Sequence, residues 1–395
     1  MPSSTGSERR WALVLAAVAV AVAVTGTILV LRQDDRGWAI ESDSSTVELV
    51  ADDRTVCGAN RDNELFCLDA ASGRELFSEQ HRGRPRPFSI VDGTLLVGDD
   101  NIDTATEVPD GTDGRARLLA YTLDGDLLWE APLDIGQLEP AVADGVVAVT
   151  TEADAELVGL DLTTGEERWR TTVSPTNADP GSGQTFGQVY ADGGSFYVAF
   201  AVFGGLQAEL ESAVVAIDPA SGTERWRSAI AGSDLPPHSM APVDDGGAVA
   251  FVVGPPTRHR RIVVLDTATG RLRWQEPLTD DAATIAQVDD VIVTLTGTEL
   301  RGVDADGDEL WTTDAPTGHD PDTLADLDLT VSVLGRLFAA GGSLYLHSSQ
   351  LYEVDPRTGA SHAVVDDPLD EVVLTDDHLV IADTCCPARI GARPR

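Results

Sequence analysis

The sequence predicts an all-β protein in which four-stranded antiparallel sheets are arrayed around one axis, a β-propeller. A turn motif recurs along the chain, and each copy places a glycine four residues before a large aromatic position. Successive motif glycines lie about 37 to 57 residues apart, which is the length of a propeller blade, about 40–50 residues. Short β-branched runs fill the intervals, and Pro and Gly interrupt the chain too often for long amphipathic helices after residue 33.

The repeated turn reads Leu/Ile-Asp-x-x-Thr/Ser-Gly-x-x-x-Trp in its clearest copies. The motif glycines are Gly73, Gly125, Gly165, Gly222, Gly270, Gly307 and Gly359. The aromatic residues at the corresponding position, together with one more near the N-terminus, are Trp38, Phe77, Trp129, Trp169, Trp226, Trp274 and Trp311. The last motif copy has Ala363 where the others have an aromatic residue.

Each part of the motif has a physical reason. Asp accepts hydrogen bonds from backbone groups a few residues ahead, and Gly adopts the positive φ that such turns need. A second turn that begins with Asp, such as Asp92-Gly93 or Asp144-Gly145, precedes each second strand. These turns give four strands in a meander. Because one sheet cannot bury both of its faces, we expect the sheets to stack, with each Trp wedged between neighbouring blades.

We expect eight blades over residues 38–395, with seven blades as the alternative. Trp38 stands where the outer-strand aromatic of a preceding blade would stand, yet no blade precedes it. Near the C-terminus, Val372–Leu374, Leu379–Ile381 and Ala388–Ile390 resemble strands of an incomplete blade. Joining these strands to Trp38 closes the ring and removes open sheet edges.

The turn motif resembles the tryptophan-docking motif of the PQQ-like, or quinoprotein-type, β-propeller repeat. Two copies depart from it, because Tyr121 replaces the Asp before Gly125 and Asp304 lies only three residues before Gly307. The resemblance covers nearly the whole chain after the N-terminal segment. It implies the propeller fold and leaves the chemistry open, since the family includes quinoprotein dehydrogenases and propellers that bind no quinone, among them an envelope lipoprotein scaffold for outer-membrane assembly.

The N-terminus predicts a membrane anchor. Residues 11–31 are uncharged and apolar, which is long enough to span a hydrocarbon core of about 30 Å as a helix. Arg9 and Arg10 precede this stretch, so the positive-inside rule places the N-terminus in the cytoplasm. We therefore expect a cytoplasmic leader (1–10), a transmembrane signal-anchor helix (11–32), a linker (33–37) and an extracytoplasmic propeller tethered to the cell membrane by one span. A cleaved signal peptide is the alternative.

The chain is strongly acidic, with a formal net charge of −39 and a pI near 4.2. Such a field repels nucleic acid and anionic membrane surfaces, so no nucleic-acid partner is expected. It suits a basic partner, and it equally suits adaptation to high salt. We predict a partner in the cell envelope, a protein or a ligand, that the sequence does not identify.

The four cysteines fit an oxidising compartment. Cys57 and Cys67 flank a predicted hairpin turn and could face each other across two strands, whereas Cys385 and Cys386 are adjacent. Three pairings are possible, and a bridge between the first and last blades would staple the ring.

No catalytic, cofactor-binding or metal-binding residue is predicted. The seven histidines show no metal-site spacing, and the acidic segment from Asp304 to Glu309 is expected to form a turn instead of a calcium loop. Four insertions lengthen particular blades: 99–115, 171–186, 203–212 and 314–328. The sequence favours a membrane-tethered propeller that acts as a binding scaffold without a cofactor. A PQQ- and Ca²⁺-dependent dehydrogenase of alcohols or sugars is the alternative, for which the adjacent Cys385 and Cys386 are the main argument.

Overall fold

A computed structural model describes most of the chain from residue 29 onward. The described residues are 29–34, 37–42, 46–100, 117–133, 140–151, 156–173, 183–192, 194–203, 211–230, 239–243, 246–254, 260–278, 283–297, 299–316, 336–340, 342–348, 350–365, 371–374, 378–383 and 388–394. They form β-strands and turns, as the sequence predicts, and no helix long and apolar enough to cross a bilayer occurs among them.

Thirty-three strands are numbered in chain order. β1 (Leu29–Asp34) and β2 (Gly37–Ser42) precede the first blade. Blade 1 contains β3 (Thr46–Ala51), β4 (Thr55–Asn60), β5 (Glu64–Asp69) and β6 (Glu75–Gln80). Blade 2 contains β7 (Arg84–Val91), β8 (Thr94–Asp100), β9 (Arg117–Thr122) and β10 (Leu127–Ala131). Blade 3 contains β11 (Ala141–Ala143), β12 (Val146–Thr151), β13 (Glu156–Asp161) and β14 (Glu167–Thr172).

Blade 4 contains β15 (Gly183–Asp192), β16 (Ser195–Phe203), β17 (Glu211–Ile217) and β18 (Glu224–Ile230). Blade 5 contains β19 (Ser239–Val243), β20 (Ala248–Val253), β21 (Arg261–Asp266) and β22 (Leu272–Pro277). Blade 6 contains β23 (Ala283–Val288), β24 (Val291–Thr296), β25 (Glu299–Asp304) and β26 (Glu309–Asp314). Blade 7 contains β27 (Arg336–Ala340), β28 (Ser343–His347), β29 (Leu351–Val354) and β30 (Ser361–Val365). The chain ends with β31 (Glu371–Leu374), β32 (His378–Asp383) and β33 (Ala388–Pro394).

Each of the seven blades is a four-stranded antiparallel meander, because its strands pair in sequence order. The remaining sheet has five strands in the order β1-β2-β33-β32-β31 and combines both ends of the described chain. We call it the closing sheet. Its central pairing is antiparallel and runs from Trp38 opposite Ala392 to Ser42 opposite Ala388.

The expectation of eight four-stranded blades is therefore wrong: the structure has seven such blades, which was the alternative, and the closing sheet has a different composition. The difference arises because β1 pairs along the outer edge of β2 and adds a fifth strand. The strand also changes the expected boundaries. Leu29–Arg32 lie in a strand and not in the predicted helix, and the sheet begins before residue 38. Residues 11–28 lie outside the described part of the chain.

Burial shows how the strands are arranged around the axis. The first strands of neighbouring sheets contact one another, as β3 does with β7 and β31, so the first strand of each sheet is innermost. Second strands such as β12 and β20 are buried along their whole length, whereas fourth strands such as β14 expose most side chains. The apolar cores lie between blades. One of them joins Leu96 and Leu118 of blade 2 to Val147 and Val158 of blade 3.

The aromatic residue on the outer strand of one sheet packs on the motif glycine of the next. Trp129 of blade 2 donates a hydrogen bond from its indole nitrogen to the carbonyl oxygen of Leu162 in blade 3, at 2.8 Å. A methyl group added at Gly165 would lie 2.6 Å from that indole ring. The same donation to the turn of the next blade is made by Trp38, Trp169, Trp226, Trp274 and Trp311. Phe77 packs on Gly125 without such a bond, since it has no donor. This geometry agrees with the wedge interpretation of the motif.

The turn itself is held by its Asp. Oδ1 of Asp161 accepts hydrogen bonds from the backbone N–H groups of Thr163 and Thr164 at 2.9 and 2.8 Å. Gly165 closes the turn with a φ of +70°. The turn beginning at Asp304 has the same kind of closure, with Oδ1 accepting from the N–H groups of Asp306 and Asp308, so it forms a turn as expected.

The missing aromatic residue in the last motif has a structural reason. Ala363 lies on β30, the outer strand of blade 7, and the next sheet is the closing sheet. A docking turn would have to connect β33 to β2, but these strands come from opposite ends of the chain. This joint is filled instead by apolar side chains that include Tyr345 and Leu351 of blade 7 and Leu379 of the closing sheet.

Cys57 and Cys67 form a cross-strand disulfide, which is one of the three pairings that the sequence allows. They are opposite each other on β4 and β5, with 4.1 Å between their Cα atoms. Both side chains are fully buried in the core of blades 1 and 2. Cys385 and Cys386 lie outside the described residues.

Replacing Gly165 by Ala should destabilise the protein far more than replacing Gly145 in the same blade. Both glycines have nearly the same φ, +70° and +69°, but nothing lies within 4 Å of a methyl group at Gly145. We expect a cost of about 1–2 kcal/mol for Gly145→Ala from the backbone alone. Gly165→Ala should cost roughly 2 kcal/mol more, because Trp129 must move. Thermal unfolding measures both, and equal melting temperatures would show that indole docking contributes nothing.

Removing the disulfide should lower stability without changing the fold. The bridge closes a loop of ten residues in sequence separation, so the double variant Cys57→Ala, Cys67→Ala should lose about 3 kcal/mol through a less constrained unfolded chain. Peptide mapping of the unreduced protein should recover residues 57 and 67 in one linked peptide. Free thiols at both positions in oxidised protein would contradict the pairing.

Candidate functional site

The connections between strands divide the propeller into two unequal faces. Those from the first to the second strand and from the third to the fourth strand of each blade all lie on one face, and none exceeds six residues. We call this the turn face. The strand ends that flank the other connections lie on the opposite face, the loop face, and these connections include 101–116, 173–182, 204–210 and 315–335. The strands on either side of all four predicted insertions therefore meet them at the loop face.

The described strand ends beneath one insertion carry a buried cluster of charged groups. Asp99 near the end of β8 and Arg117 at the start of β9 are opposite each other, so they flank the insertion 101–116. Nη2 of Arg117 lies 2.9 Å from Oδ2 of Asp99, and Nη1 lies 2.8 Å from Oε1 of Glu130 on β10. The Asp99 side chain is only 1% exposed, so this carboxylate is effectively withdrawn from water.

His81 joins the cluster from the link between blades 1 and 2. Its backbone N–H donates to the carbonyl oxygen of Asn63 at 2.8 Å, which fixes the link against the hairpin of blade 1. Nδ1 lies 3.8 Å from Oδ2 of Asp99, and the imidazole is 5% exposed. Nε2 of His81 and Oδ1 of Asp99 have no hydrogen-bond partner among the described residues. The ring of Tyr121 contacts the imidazole edge-on, with 6.0 Å between ring centroids.

The environment shifts the pKa values of Asp99 and Tyr121. Burial raises the pKa of Asp99, but the neighbouring His81 and Arg117 outweigh burial and hold the pKa below its usual value. Burial, reinforced by the carboxylates of Glu79 and Asp99, raises the pKa of Tyr121 far above its usual value. At neutral pH the cluster therefore contains an ionised Asp99 and a protonated Tyr121. It can hold the two ends of the insertion together by charge.

The sequence does not indicate this cluster, because its histidines show no metal-site spacing and residue 99 only begins a predicted insertion. One feature of the sequence does indicate the ion pair: an acidic and a basic residue stand at the two ends of one insertion. Strands joined by an insertion pair at those ends, so the two charges are expected to be neighbours. No group of three or more His, Cys, Asp or Glu side chains that could hold a metal occurs within the described residues. The predicted aromatic and glycine positions lie in the joints between blades, and Phe77 among them contacts the cluster by stacking on Tyr121, with 6.2 Å between ring centroids.

Comparison with known proteins decides the family. A profile described as outer membrane protein assembly factor BamB matches residues 80–233 and 210–368. The chain belongs to the BamB family. This agrees with the PQQ-type propeller repeat expected from the turn motif, while the family match leaves anchoring and catalysis open. No curated protein sequence matches the chain.

Solved structures of BamB-type and other propellers share the fold. The crystal structure of BamB from Moraxella catarrhalis is similar with a TM-score of 0.62 and 12% identity, covering 93% of this chain and 100% of that one. The crystal structure of Saccharomyces cerevisiae Sqt1 is similar with a TM-score of 0.60 and 12% identity, and the match covers 93% of this chain and 99% of that one. The quinohemoprotein alcohol dehydrogenase ADHIIG from Pseudomonas putida HK5 is similar with a TM-score of 0.57 and 11% identity, and the match covers 93% of this chain and 78% of that one. At these identities the similarity shows only that the chains share a fold.

Replacing Asp99 by Asn should destabilise the protein at neutral pH and much less in acid. Because the pKa of Asp99 is lower in the folded chain, its ionised form stabilises the fold above the unfolded pKa, about 3.9, and this stabilisation is lost as pH falls through the folded value. We expect Asp99→Asn to lower the free energy of unfolding by roughly 2–4 kcal/mol at pH 7. The difference in this free energy between the variant and the unchanged protein should narrow below about pH 4.

The matched control is Asp126→Asn, the same change at an exposed turn position of the same blade. It should alter stability by less than about 0.5 kcal/mol at pH 7. Denaturant unfolding at pH 7, 5 and 3.5 measures all three proteins. A pH-independent difference for Asp99→Asn would show that the carboxylate charge has no structural role.

Proposed function

We propose that this protein is a membrane-tethered, extracytoplasmic propeller that binds an envelope protein through its loop face. The one-sided placement of the long connections carries the proposal. The turn face has connections of at most six residues, whereas the loop face has connections of up to 21 residues, 315–335. Binding residues in proteins concentrate on long loops that a rigid scaffold positions.

The rigidity of the scaffold supports this role. Six indole hydrogen bonds of 2.6 to 2.8 Å link successive sheets. The sheets joined by these bonds therefore have a fixed orientation relative to one another, and the strand ends on them keep their spacing. Membership of the BamB family is consistent with this role, since that family is described as outer membrane protein assembly factors.

Three further observations support the compartment and the partner. The buried disulfide between Cys57 and Cys67 suits an oxidising, extracytoplasmic environment. Residues 11–28 are uncharged and predominantly apolar, which suits a membrane anchor. The net charge of −39 disfavours nucleic acid and favours a neutral or basic protein surface.

A quinoprotein dehydrogenase is the second candidate, because the fold is shared with a quinohemoprotein alcohol dehydrogenase. The described residues show no match to the calcium site of such an enzyme. A calcium ion that activates a quinone needs several converging oxygen ligands, and the part of the chain that the structure describes offers no group of three or more acidic, Cys or His side chains for a metal. The adjacent Cys385 and Cys386 lie outside the described residues.

The purified full chain should show no quinone-dependent activity. Incubated with PQQ, Ca²⁺ and a panel of alcohols and sugars, it should reduce an electron-acceptor dye no faster than the cofactors alone. A quinohemoprotein alcohol dehydrogenase run in the same assay controls for cofactor quality. Substrate-dependent dye reduction by this chain would overturn the scaffold proposal in favour of the enzyme.

Photocrosslinking should locate the binding face. A photoreactive amino acid is placed at Arg61 or Arg82, both exposed on the loop face, and at Ala71 or Arg74, both exposed on the turn face of the same blade. Irradiation of intact cells should give a discrete adduct from the loop-face positions and none from the turn-face positions. Adducts from the turn face alone would assign binding to the other side.

A further inference from the structure

The indole hydrogen bonds do not occur at every joint of the ring. The seven blades and the closing sheet meet at eight joints, and six of them carry a hydrogen bond from an indole to the turn of the next sheet. Within the described part of the chain, the other two joints carry none. One lies between blades 1 and 2, where Phe77 holds the aromatic position, and the other lies between blade 7 and the closing sheet, where Ala363 holds it.

These two joints divide the ring into a short arc and a long arc. The short arc consists of the closing sheet and blade 1, which are joined by the hydrogen bond of 2.7 Å from Trp38 to the carbonyl oxygen of Ala70. The long arc consists of blades 2–7, which the other five indole bonds join in an unbroken series. All four long connections begin and end on strands of the long arc, whereas both ends of the described chain belong to the short arc.

The joint between blades 1 and 2 differs from a docked joint at the aromatic position itself. The turns that contain Gly125 and Gly307 close in the same way, because each glycine N–H donates to the carbonyl oxygen three residues earlier at 3.0 Å. The second of these turns accepts the indole N–H of Trp274 at the carbonyl oxygen of Ala305, at 2.8 Å. Phe77 packs on Gly125, but a phenyl ring has no N–H to donate. The receiving turn is therefore suited to an indole that the chain does not supply.

Polar contacts cross this joint in place of the indole bond. Nε of Arg86 on the inner strand of blade 2 lies 3.1 Å from Oε1 of Glu48 on the inner strand of blade 1, and the two side chains are 23% and 33% exposed. Ion pairs that water reaches contribute little to stability. The imidazole of His81, in the link between the blades, lies 3.8 Å from Asp99, which is longer than a normal hydrogen bond. These contacts hold the joint closed less firmly than a buried indole bond would.

Apolar packing holds the joint between blade 7 and the closing sheet. Leu351 of blade 7 and Leu379 of the closing sheet are buried in one cluster with Tyr345. Apolar burial is non-directional, so it tolerates a change of angle between the sheets better than a hydrogen bond between two fixed groups. Both undocked joints therefore have the properties of a hinge.

We propose that the ring has hinges at these two joints and that the closing sheet and blade 1 move as one body against blades 2–7. Two hinges on either side of one body allow a closed ring to deform while every docked joint stays intact. The movement displaces both ends of the described chain, whereas the strand ends that flank the long connections keep their spacing on the long arc. This inference concerns the ring itself and does not rest on the proposed function.

Thiol labelling of buried cysteines measures the opening of single joints. The purified full chain carries serine in place of Cys385 and Cys386, and one valine is replaced by cysteine. The three valines chosen are fully buried on second strands, and each faces the preceding sheet. Val97→Cys reports on the joint between blades 1 and 2, while Val56→Cys and Val147→Cys report on the docked joints on either side of it. Labelling by a maleimide is followed under native conditions.

Labelling should be at least about tenfold faster at position 97 than at positions 56 and 147, because opening there breaks no indole bond. Leu379→Cys, in the joint between blade 7 and the closing sheet, should likewise be labelled faster than Leu346→Cys, in the docked joint between blades 6 and 7. Equal rates at docked and undocked joints would overturn the hinges, since labelling would then report unfolding of the whole ring.

Exchanging the aromatic residues tests the cause. Phe77→Trp should slow labelling at position 97 by about five- to tenfold and leave position 147 unchanged. Trp129→Phe is the reciprocal variant, and it should accelerate labelling at position 147 by a similar factor. Peptide mapping confirms that the native disulfide stays intact in each protein. If Phe77→Trp does not fold, Trp129→Phe still decides, and unchanged labelling at position 147 in that variant would overturn the assignment of the hinge to a missing indole bond.

Discussion

The structure depends on one contact, in which an indole from the outer strand of one sheet rests on a glycine turn of the next. The contact needs a residue without a side chain, at a φ near +70°, and a free carbonyl to accept the indole N–H. The Asp of the motif supplies the turn, and the glycine supplies the space. The last motif copy has Ala363 at the aromatic position. Ala363 faces the closing sheet, which has no glycine turn on which an aromatic residue could dock.

The sequence was most informative where interactions are local or repeated. The motif spacing predicted four-stranded blades with an aromatic residue wedged between neighbours, and the short hairpin between Cys57 and Cys67 made their disulfide one of three possible pairings. It was less informative where pairing joins distant segments. Leu29–Arg32 continue an apolar run and so favoured a helix, yet they form a strand because the edge of β2 is available to pair with them.

The buried cluster of His81, Asp99 and Arg117 illustrates the same limit. Its members are 18 to 36 residues apart and come from blade 2 and the link that precedes it, so only the pairing of β8 with β9 brings the acid and the base together. The cluster lies at the loop-face ends of β8 and β9, and the strand ends that flank the longest connections share that face. A rigid set of docked blades whose long connections join strand ends of one face is consistent with the binding scaffold proposed above.

Hydrogen exchange at the indole nitrogens tests the central claim most directly. In protein labelled with ¹⁵N-tryptophan, the N–H groups of Trp38, Trp129, Trp169, Trp226, Trp274 and Trp311 should exchange slowly, because each donates to a carbonyl of the adjacent sheet. Gly165→Ala should selectively accelerate exchange at Trp129. Rapid exchange at most of these six indoles in the native protein would contradict a ring held together by aromatic docking.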